Sequence, residues 1–354
     1  MNTRILLITG GAGFIGTNFI RYWLHTYPKD KLIVLDSISY ASNIKNLEFA
    51  KSSPNFSFIQ GSINNTVLVK SLIEQHSVNT IVHFAAESHV DRSISSPDPF
   101  IETNIVGTYS LLKAAKAVWL DGNHCLPHHF HHISTDEVFG SLADTSRPFN
   151  EQSRYAPNSI YSASKAASDH LIRAFHQTYG MKVTTSNTSN NFGPYQFPEK
   201  LIPSVITKLL NNQSLPIYGD GQQTRDWLHV ADHVYATDLI LNKGSIGETY
   251  TIGGNSEKTN IYIVETICKL VDQAFQQNPM LSQQYPKARS AISGSSADLI
   301  AHVVDRLGHD KRYAIDNTKA QIELGYAPKI AFDEGLKETV DWYINNPHWW
   351  SKPL

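Results

Sequence analysis

The chain alternates short, largely apolar runs with longer stretches in which apolar residues recur at helical spacing. Ile5–Thr9, 32–36, Phe56–Gln60, 80–84 and 130–134 are short and rich in β-branched or aromatic residues, as buried strands are. Between them, 14–27, Thr66–His76 and 98–119 have helical length and period. Strand, helix and strand repeated in this way predict an α/β fold with a doubly wound parallel sheet covered on both faces.

Beyond about residue 190 the texture changes. A loop-rich run, Asn190-Asn191-Phe192-Gly193-Pro194, leads to shorter strand-like pieces at Leu215–Tyr218, Thr249–Ile252 and 312–315. Helical stretches at Leu201–Leu210, 230–241, 261–275 and 333–344 separate them, and 276–299, rich in Gln and Ser with little periodicity, is expected to be a surface insertion. The predicted organisation is a dinucleotide-binding domain over 1–190, with returning segments near 230–252 and 312–317. A smaller α/β lobe over 191–354 would bind the substrate.

Charge narrows the partners. Lys and Arg total 30 against 32 Asp and Glu, a balance of −2, so the chain is a poor candidate for non-specific nucleic-acid binding, which needs a basic surface, although local basic positions could hold a small anionic ligand. Two cysteines, Cys125 and Cys268, lie far apart and outside any metal-ligand spacing, which fits a reducing, cytoplasmic setting. No apolar run approaches the roughly 20 residues of a membrane span.

Candidate chemistry lies at the ends of the predicted strands. Gly11-Ala12-Gly13-Phe14-Ile15-Gly16, with Gly10 before it, follows the first strand and opens a helix. Glycines there let the backbone approach a pyrophosphate, and the helix N-terminus offers unpaired N–H groups to the anion. Asp36, 20 residues after Gly16, is placed to accept hydrogen bonds from an adenosine ribose; no Arg follows it to receive a 2′-phosphate, so NAD is favoured over NADP.

Tyr161 and Lys165 are four residues apart, which sets phenol and ammonium on one helical face one turn apart. Ser134 and Thr135 end the fifth strand, and Asp136 and Glu137 follow at its C-terminal edge, where open α/β sheets bind ligands. The two acids can address one substrate only if the chain turns there, since neighbours on a strand point to opposite faces. Either acid alone could also serve as a cap for the next turn. Two carboxyls so close tend to separate in pKa, one protonated as acid and one ionised as base. Phenol, ammonium and acid pair together suit oxidation of an alcohol and loss of water from a neighbouring carbon. On a sugar, Tyr161 would oxidise C4 with NAD, Thr135 would bind the C4 oxygen, Glu137 would take the C5 proton and Asp136 would protonate the departing C6 hydroxyl, before the hydride returns to C6.

These residues sit in longer matching segments: 9–16, Ala85-Ala86-Glu87-Ser88-His89-Val90-Asp91-Arg92-Ser93, 132–138, 161–165, 190–201, Arg225-Asp226-Trp227 and Gly308-His309-Asp310. Over nearly its whole length the chain resembles the dTDP-glucose 4,6-dehydratases of the extended short-chain dehydrogenase/reductase superfamily. Their Thr-Asp-Glu triplet is the specific element. The resemblance implies NAD as cofactor and dTDP-glucose as substrate. It implies cofactor contacts from Ile63, Ala85, Ala86, Asn104, Ser134 and Asn190, with Ser62 standing where the family usually carries an Asp. It implies substrate contacts from Glu87, Ser88, Asn190, Lys200, Leu201, Pro216, Tyr218, Arg225, Asn260, His309 and Tyr313. It also implies a homodimer formed through helices near 98–119 and 161–179.

Two other readings of the residues stay open: a nucleotide-sugar 4-epimerase, which does not need the acid pair, and a non-catalytic NAD-binding regulator. The cluster His124, His128, His129, His131 and His132 is not expected to bind metal, because several of its members alternate along a buried strand. Trp349 and Trp350 are expected to pack the final helix against the second lobe.

Overall fold

The continuous apolar runs have a direct structural cause: each central strand supplies side chains to two cores. In the computed structural model, which describes residues 3–121, 126–292, 294–305 and 308–351, Leu7, Ile33, Leu35 and Ile81 enter one core with Val69, Leu72, Leu111, Leu112, Phe130 and Phe175. Their sequence neighbours Leu6, Ile8, Leu32, Val34 and Val82 enter the opposite core with Phe19, Ile20, Trp23, Val234 and Leu241. Alternation at period two, apolar on both sides, is what a sheet between two helical layers requires.

The main sheet has seven strands: β1 (Ile5–Thr9), β2 (Lys31–Asp36), β3 (Phe56–Gln60), β4 (Thr80–His83), β5 (His129–Thr135), β6 (Val183–Thr188) and β10 (Thr249–Ile252). Their spatial order is β10-β6-β5-β4-β1-β2-β3, and all pairs are parallel. The expected doubly wound sheet is therefore present, and β10 returns to its edge after an excursion of some sixty residues through the second lobe. Strand β6 carries no sequence signal because Val183-Thr184-Thr185-Ser186-Asn187-Thr188 is polar and yet wholly buried. Its side chains bond the neighbouring strand: Thr184 with the His131 ring at 2.9 Å, Asn187 donating to the Thr135 carbonyl at 3.1 Å, Thr188 donating to the Ser134 carbonyl at 3.2 Å.

Helices α1 (Phe14–Thr26) and α2 (Thr66–His76) follow the prediction closely. The stretch 98–119 does not run as one α-helix: Asp98–Phe100 leads into a π-helical turn, Ile101–Gly107, before Thr108–Trp119. Helix Ile160–Tyr179 starts on a reciprocal cap between Ser159 and Ser162 and ends at Gly180, whose φ is +71°.

The second lobe has its own core, in which Ile202, Val205, Ile206, Leu209, Ile263, Val264, Ile267, Leu336 and Val340 pack around Phe192 and Trp227. Its small sheets pair β7 (Asn190–Phe192) and β11 (Glu257–Thr259) with β9 (Thr224–His229), and β8 (Leu215–Tyr218) with β12 (Ile300–Val303).

Two expectations change here. Segment 312–315 is not a strand; Arg312 and Ile315 form isolated bridges to Thr224 and Phe149 and do not join the main sheet. Residues 276–299 are not a surface insertion, since Leu281, Tyr285 and Ala288 are buried in the second core and the Tyr285 hydroxyl donates to the Ile344 carbonyl at 2.6 Å. Further along, Ser290 and Ser296 hydroxyls both donate to Asp272 at 2.6 Å. Apolar residues spaced too irregularly for a helical pattern anchor a loop as firmly as a helix face does.

Candidate active site

The turn after β1 is shaped by close backbone contacts. Gly10 has φ +71°, and a Cβ on it would lie 2.6 Å from the Ala85 nitrogen; on Gly16 it would lie 2.4 Å from the Gly10 carbonyl oxygen. Gly13 differs: it caps α1, and a Cβ there would meet only the Gly10 oxygen, at 3.3 Å, so its outer side faces the cavity. That is the cradle a pyrophosphate needs. Asp36 braces the turn as well as facing the cavity, accepting from the Ala12 N–H at 3.0 Å and the Ile38 N–H at 2.8 Å, while burial pushes its carboxyl up.

One elongated cavity is lined by Gly10, Gly13, Phe14, Ile15, Gly16, Asp36, Ser62, Ile63, Ala85, Ala86, Glu87 and Ser88, and at its far end by Ser134, Thr135, Asp136, Glu137, Tyr161, Lys165 and Asn190. These residues fit a dinucleotide laid from Asp36, across the glycines, to Tyr161. Asn104 is a correction. It is buried behind the wall, where its side chain accepts from the Glu87 N–H at 2.9 Å and donates to the Glu87 carbonyl at 3.0 Å and the Ser164 hydroxyl at 2.8 Å. Its place in the π-helical turn aims it at Glu87's backbone, and the cavity begins one residue away at Thr103.

The chain does turn after β5. Asp136–Phe139 form a 3-10 turn capped by Thr135, whose Oγ1 accepts from the Glu137 N–H at 3.2 Å, so neither acid is needed as the cap. The turn sends the acids into different surroundings. Asp136 is 1% exposed, and among the described residues it has only a 3.4 Å bond from Thr135 Oγ1 to its Oδ1 and no partner for Oδ2. Burial, then the Glu137 charge, hold its carboxyl well above the usual range, so it is the protonated member. Glu137 is partly exposed and opens on the cavity.

Tyr161 and Lys165 are buried on the same helix. The Lys165 ammonium donates to the Ile133 carbonyl at 2.7 Å, and burial lowers it to about 8, with Asp169 acting the other way. Burial and the Glu137 charge raise the Tyr161 phenol, so it carries its proton in the protein alone.

A second cavity is lined by Leu201, Pro216, Tyr218, Arg225, Asn260, His309 and Tyr313, every one a residue the resemblance had implied. Glu137, Asn190, Glu199 and Lys200 line both cavities, so they form the junction. Helix Leu201–Leu210 begins there, and the Lys200 ammonium donates to the Ser88 carbonyl at 2.5 Å. Arg225 donates to the Asp310 carbonyl at 2.9 Å and lies over the Tyr313 ring at 4.3 Å, which fixes the 308–313 loop against the cavity. A helix N-terminus and two cations around one opening suit a diphosphate.

Sequence reasoning missed several residues of the site. Phe197 and Glu199 come from the loop after β7, and only the run of matching residues from 190 to 201 pointed there. Asp169 was missed although it continues the Tyr161, Lys165 spacing by one more turn. The histidines are accounted for by protein partners: His131 by Thr184, His132 by Asp169 and His128 by stacking on Trp119 at 4.9 Å. Among the described residues no three potential metal ligands converge, and His124 and Cys125 lie outside those residues.

The family profile described as GDP-mannose 4,6 dehydratase matches residues 7–339. A dTDP-glucose 4,6-dehydratase from Xanthomonas campestris is 49% identical over 346 residues, which cover 97% of this chain and 94% of that one. The chain belongs to the dTDP-glucose 4,6-dehydratase family. Two solved dehydratases share the fold closely. DesIV from Streptomyces venezuelae, with NAD and TYD bound, superposes with a TM-score of 0.86 at 42% identity, covering 99% of this chain and 100% of its own. The Bacillus anthracis dehydratase in complex with NAD gives 0.85 at 41% identity with the same coverage. Among the residues of this dehydratase-family site, the acid pair, of which Glu137 reaches the junction, is the part a hydride shuttle alone does not require.

Proposed function

We infer that the chain is an NAD-dependent dTDP-glucose 4,6-dehydratase, a hydro-lyase that converts dTDP-glucose to dTDP-4-dehydro-6-deoxyglucose. The observation that carries this reading is the 3-10 turn at Asp136–Phe139, which sets a buried and an accessible carboxyl on the first cavity with Tyr161, the accessible one, Glu137, also lining the second. NAD held along the first cavity would supply the hydride acceptor for C4 and the donor for C6, and its positive ring would favour ionisation of Tyr161.

The chain's own residues manage the protons. Tyr161 takes the proton of the C4 hydroxyl, and Lys165 stabilises the phenolate and its seat. Thr135 holds the C4 oxygen, and the C4 ketone acidifies the C5 hydrogen. Glu137 removes that hydrogen while Asp136 protonates the C6 hydroxyl, which leaves as water, and Glu137, after exchange with solvent, returns a proton to C5 when the hydride is restored at C6. The nucleotide and diphosphate lie in the second cavity, with Lys200 and Arg225 on the phosphates and Asn260, His309 and Tyr313 on the nucleoside side. Residues 1–190, with the returning strand β10, hold the cofactor, and 191–354 hold the nucleotide sugar.

Two subunits associate through the helices around 98–119 and 160–179, whose exposed Ile101, Val106, Tyr109, Ile160 and Tyr179 form an apolar surface that a second copy would cover. A cytoplasmic setting is in keeping with Cys268, a buried free thiol.

The test is turnover of dTDP-glucose in deuterated water, read by mass spectrometry. The expected product has lost one water and gained deuterium at C5. Glu137→Gln is expected to abolish that exchange while early NADH formation stays detectable. A product of unchanged mass, inverted at C4, would instead establish an epimerase.

A further inference from the structure

Lys165 presents a physical problem: an ammonium buried to 4% exposure whose one hydrogen-bond acceptor is a neutral carbonyl, that of Ile133. Burial disfavours its charged form, and an uncharged amine would lack the positive charge that stabilises the Tyr161 phenolate. One turn further along the same helix face sits Asp169, itself 6% exposed.

Asp169 is surrounded by donors. Its Oδ2 accepts from the Tyr155 hydroxyl at 2.8 Å, the Ser134 hydroxyl at 2.9 Å and the Asn187 amide at 3.1 Å, and its Oδ1 is 3.1 Å from His132 Nε2. Four donors on a buried carboxyl favour its ionised form against the cost of burial, and the carboxyl is held below its usual range. The same bonds reach the end of β5. Ser134 directly precedes Thr135, and Asn187 donates to the Thr135 carbonyl at 3.1 Å as well as to Asp169.

We propose that Asp169 is a positioning residue for the dehydration, a fixed buried anion that keeps Lys165 charged and locks the strand end from which Thr135, Asp136 and Glu137 project. The proposal rests on the roles given above to Tyr161 and Lys165. The groups that face this pair are His132 and Ser134 from β5, His83 from β4, Asn187 from β6, Tyr155 from the preceding loop and Tyr161 from the same helix. His83 and His132 are held neutral by burial, so Asp169 is the counter-charge among them.

The experiment compares the pH profile of dTDP-glucose dehydration for the wild type, Asp169→Asn, Asp169→Glu and Tyr155→Phe, each as the NAD-loaded enzyme. Wild-type turnover establishes whether the proposed reaction occurs at all, so its failure is distinct from failure of this inference. In Asp169→Asn the alkaline limb is expected to move to lower pH, because a buried opposite charge one helical turn away favours the ammonium. Asp169→Glu restores the limb, and Tyr155→Phe, which removes one donor and leaves the charge, keeps it in place. A limb that stays put in Asp169→Asn while turnover falls evenly at all pH values overturns the proposal. Should that variant not fold, the protonation of Lys165 in the wild type, read at graded pH by NMR of isotopically labelled lysine side chains, decides the matter. A protonated amine at pH 7 supports the assignment, and an amine already neutral there overturns it.

Discussion

One peptide bond separates Asp136 from Glu137, yet one carboxyl is sealed from solvent with an oxygen lacking any partner among the described residues and the other faces two cavities. Burial makes Asp136 costly to ionise, and this has a consequence for stability. A carboxyl whose folded-state pKa is raised loses stability as pH climbs above its unfolded value, because the unfolded chain then sheds a proton the folded one retains. Asp136→Asn is therefore expected to lower turnover by about 10²–10⁴-fold, as loss of a general acid does, while raising the melting temperature near pH 7 and leaving it unchanged near pH 3.5. Calorimetry at the two pH values checks the sign. The glycine turn, Asp36, the Tyr161 and Lys165 spacing and the Thr135–Glu137 triplet were legible in the sequence because each is defined by neighbours along one element. Asn104 and Asp169 were not, because what they do is set by Ser164, 60 positions from Asn104, and Ser134, 35 positions from Asp169.

Elements were legible where burial is apolar and obscure where it is polar. Strands β1, β3 and helix α2 were predicted to the residue, whereas β6 was invisible because its Thr, Ser and Asn side chains are buried through hydrogen bonds to β5. The π-helical turn at Ile101–Gly107 left no periodic trace either, since one extra residue in a turn barely alters an apolar stripe. Segment 276–299 shows the converse error, low periodicity taken for exposure. Leu281 there is 5% exposed in the second core. Leu281→Ala should lower the unfolding free energy by about 2–5 kcal/mol, where a surface position would change it by no more than about 0.5 kcal/mol. A shift of the denaturant midpoint at constant slope is the measurement.

For the whole molecule, the centre of the main sheet and the helix Val230–Lys243 together carry several buried imidazoles. Burial holds His83 and His131 well below the usual histidine value, His129 and His132 at about 4 and His233 at about 3. Below pH 6.5 the unfolded chain takes up protons that the folded chain refuses, so their contribution is whole above that value and drains away as pH falls toward 4. At roughly 2 kcal/mol for each of His129 and His132 between pH 7 and pH 5, the melting temperature of Asp136→Asn, in which the opposing Asp136 slope is gone, should drop over that range, and a flat profile in that variant would contradict the burial argument. The two halves of the chain are also tied together at a telling place. The Trp349 indole donates to Asn46 Oδ1 at 2.5 Å, and the same Asn46 donates to the Ala12 carbonyl at 3.0 Å, inside the glycine turn. A nascent chain leaving the ribosome thus exposes its pyrophosphate cradle early and receives the brace only after a further 303 residues have been made past Asn46. The order of synthesis makes the glycine turn long before the indole that braces it.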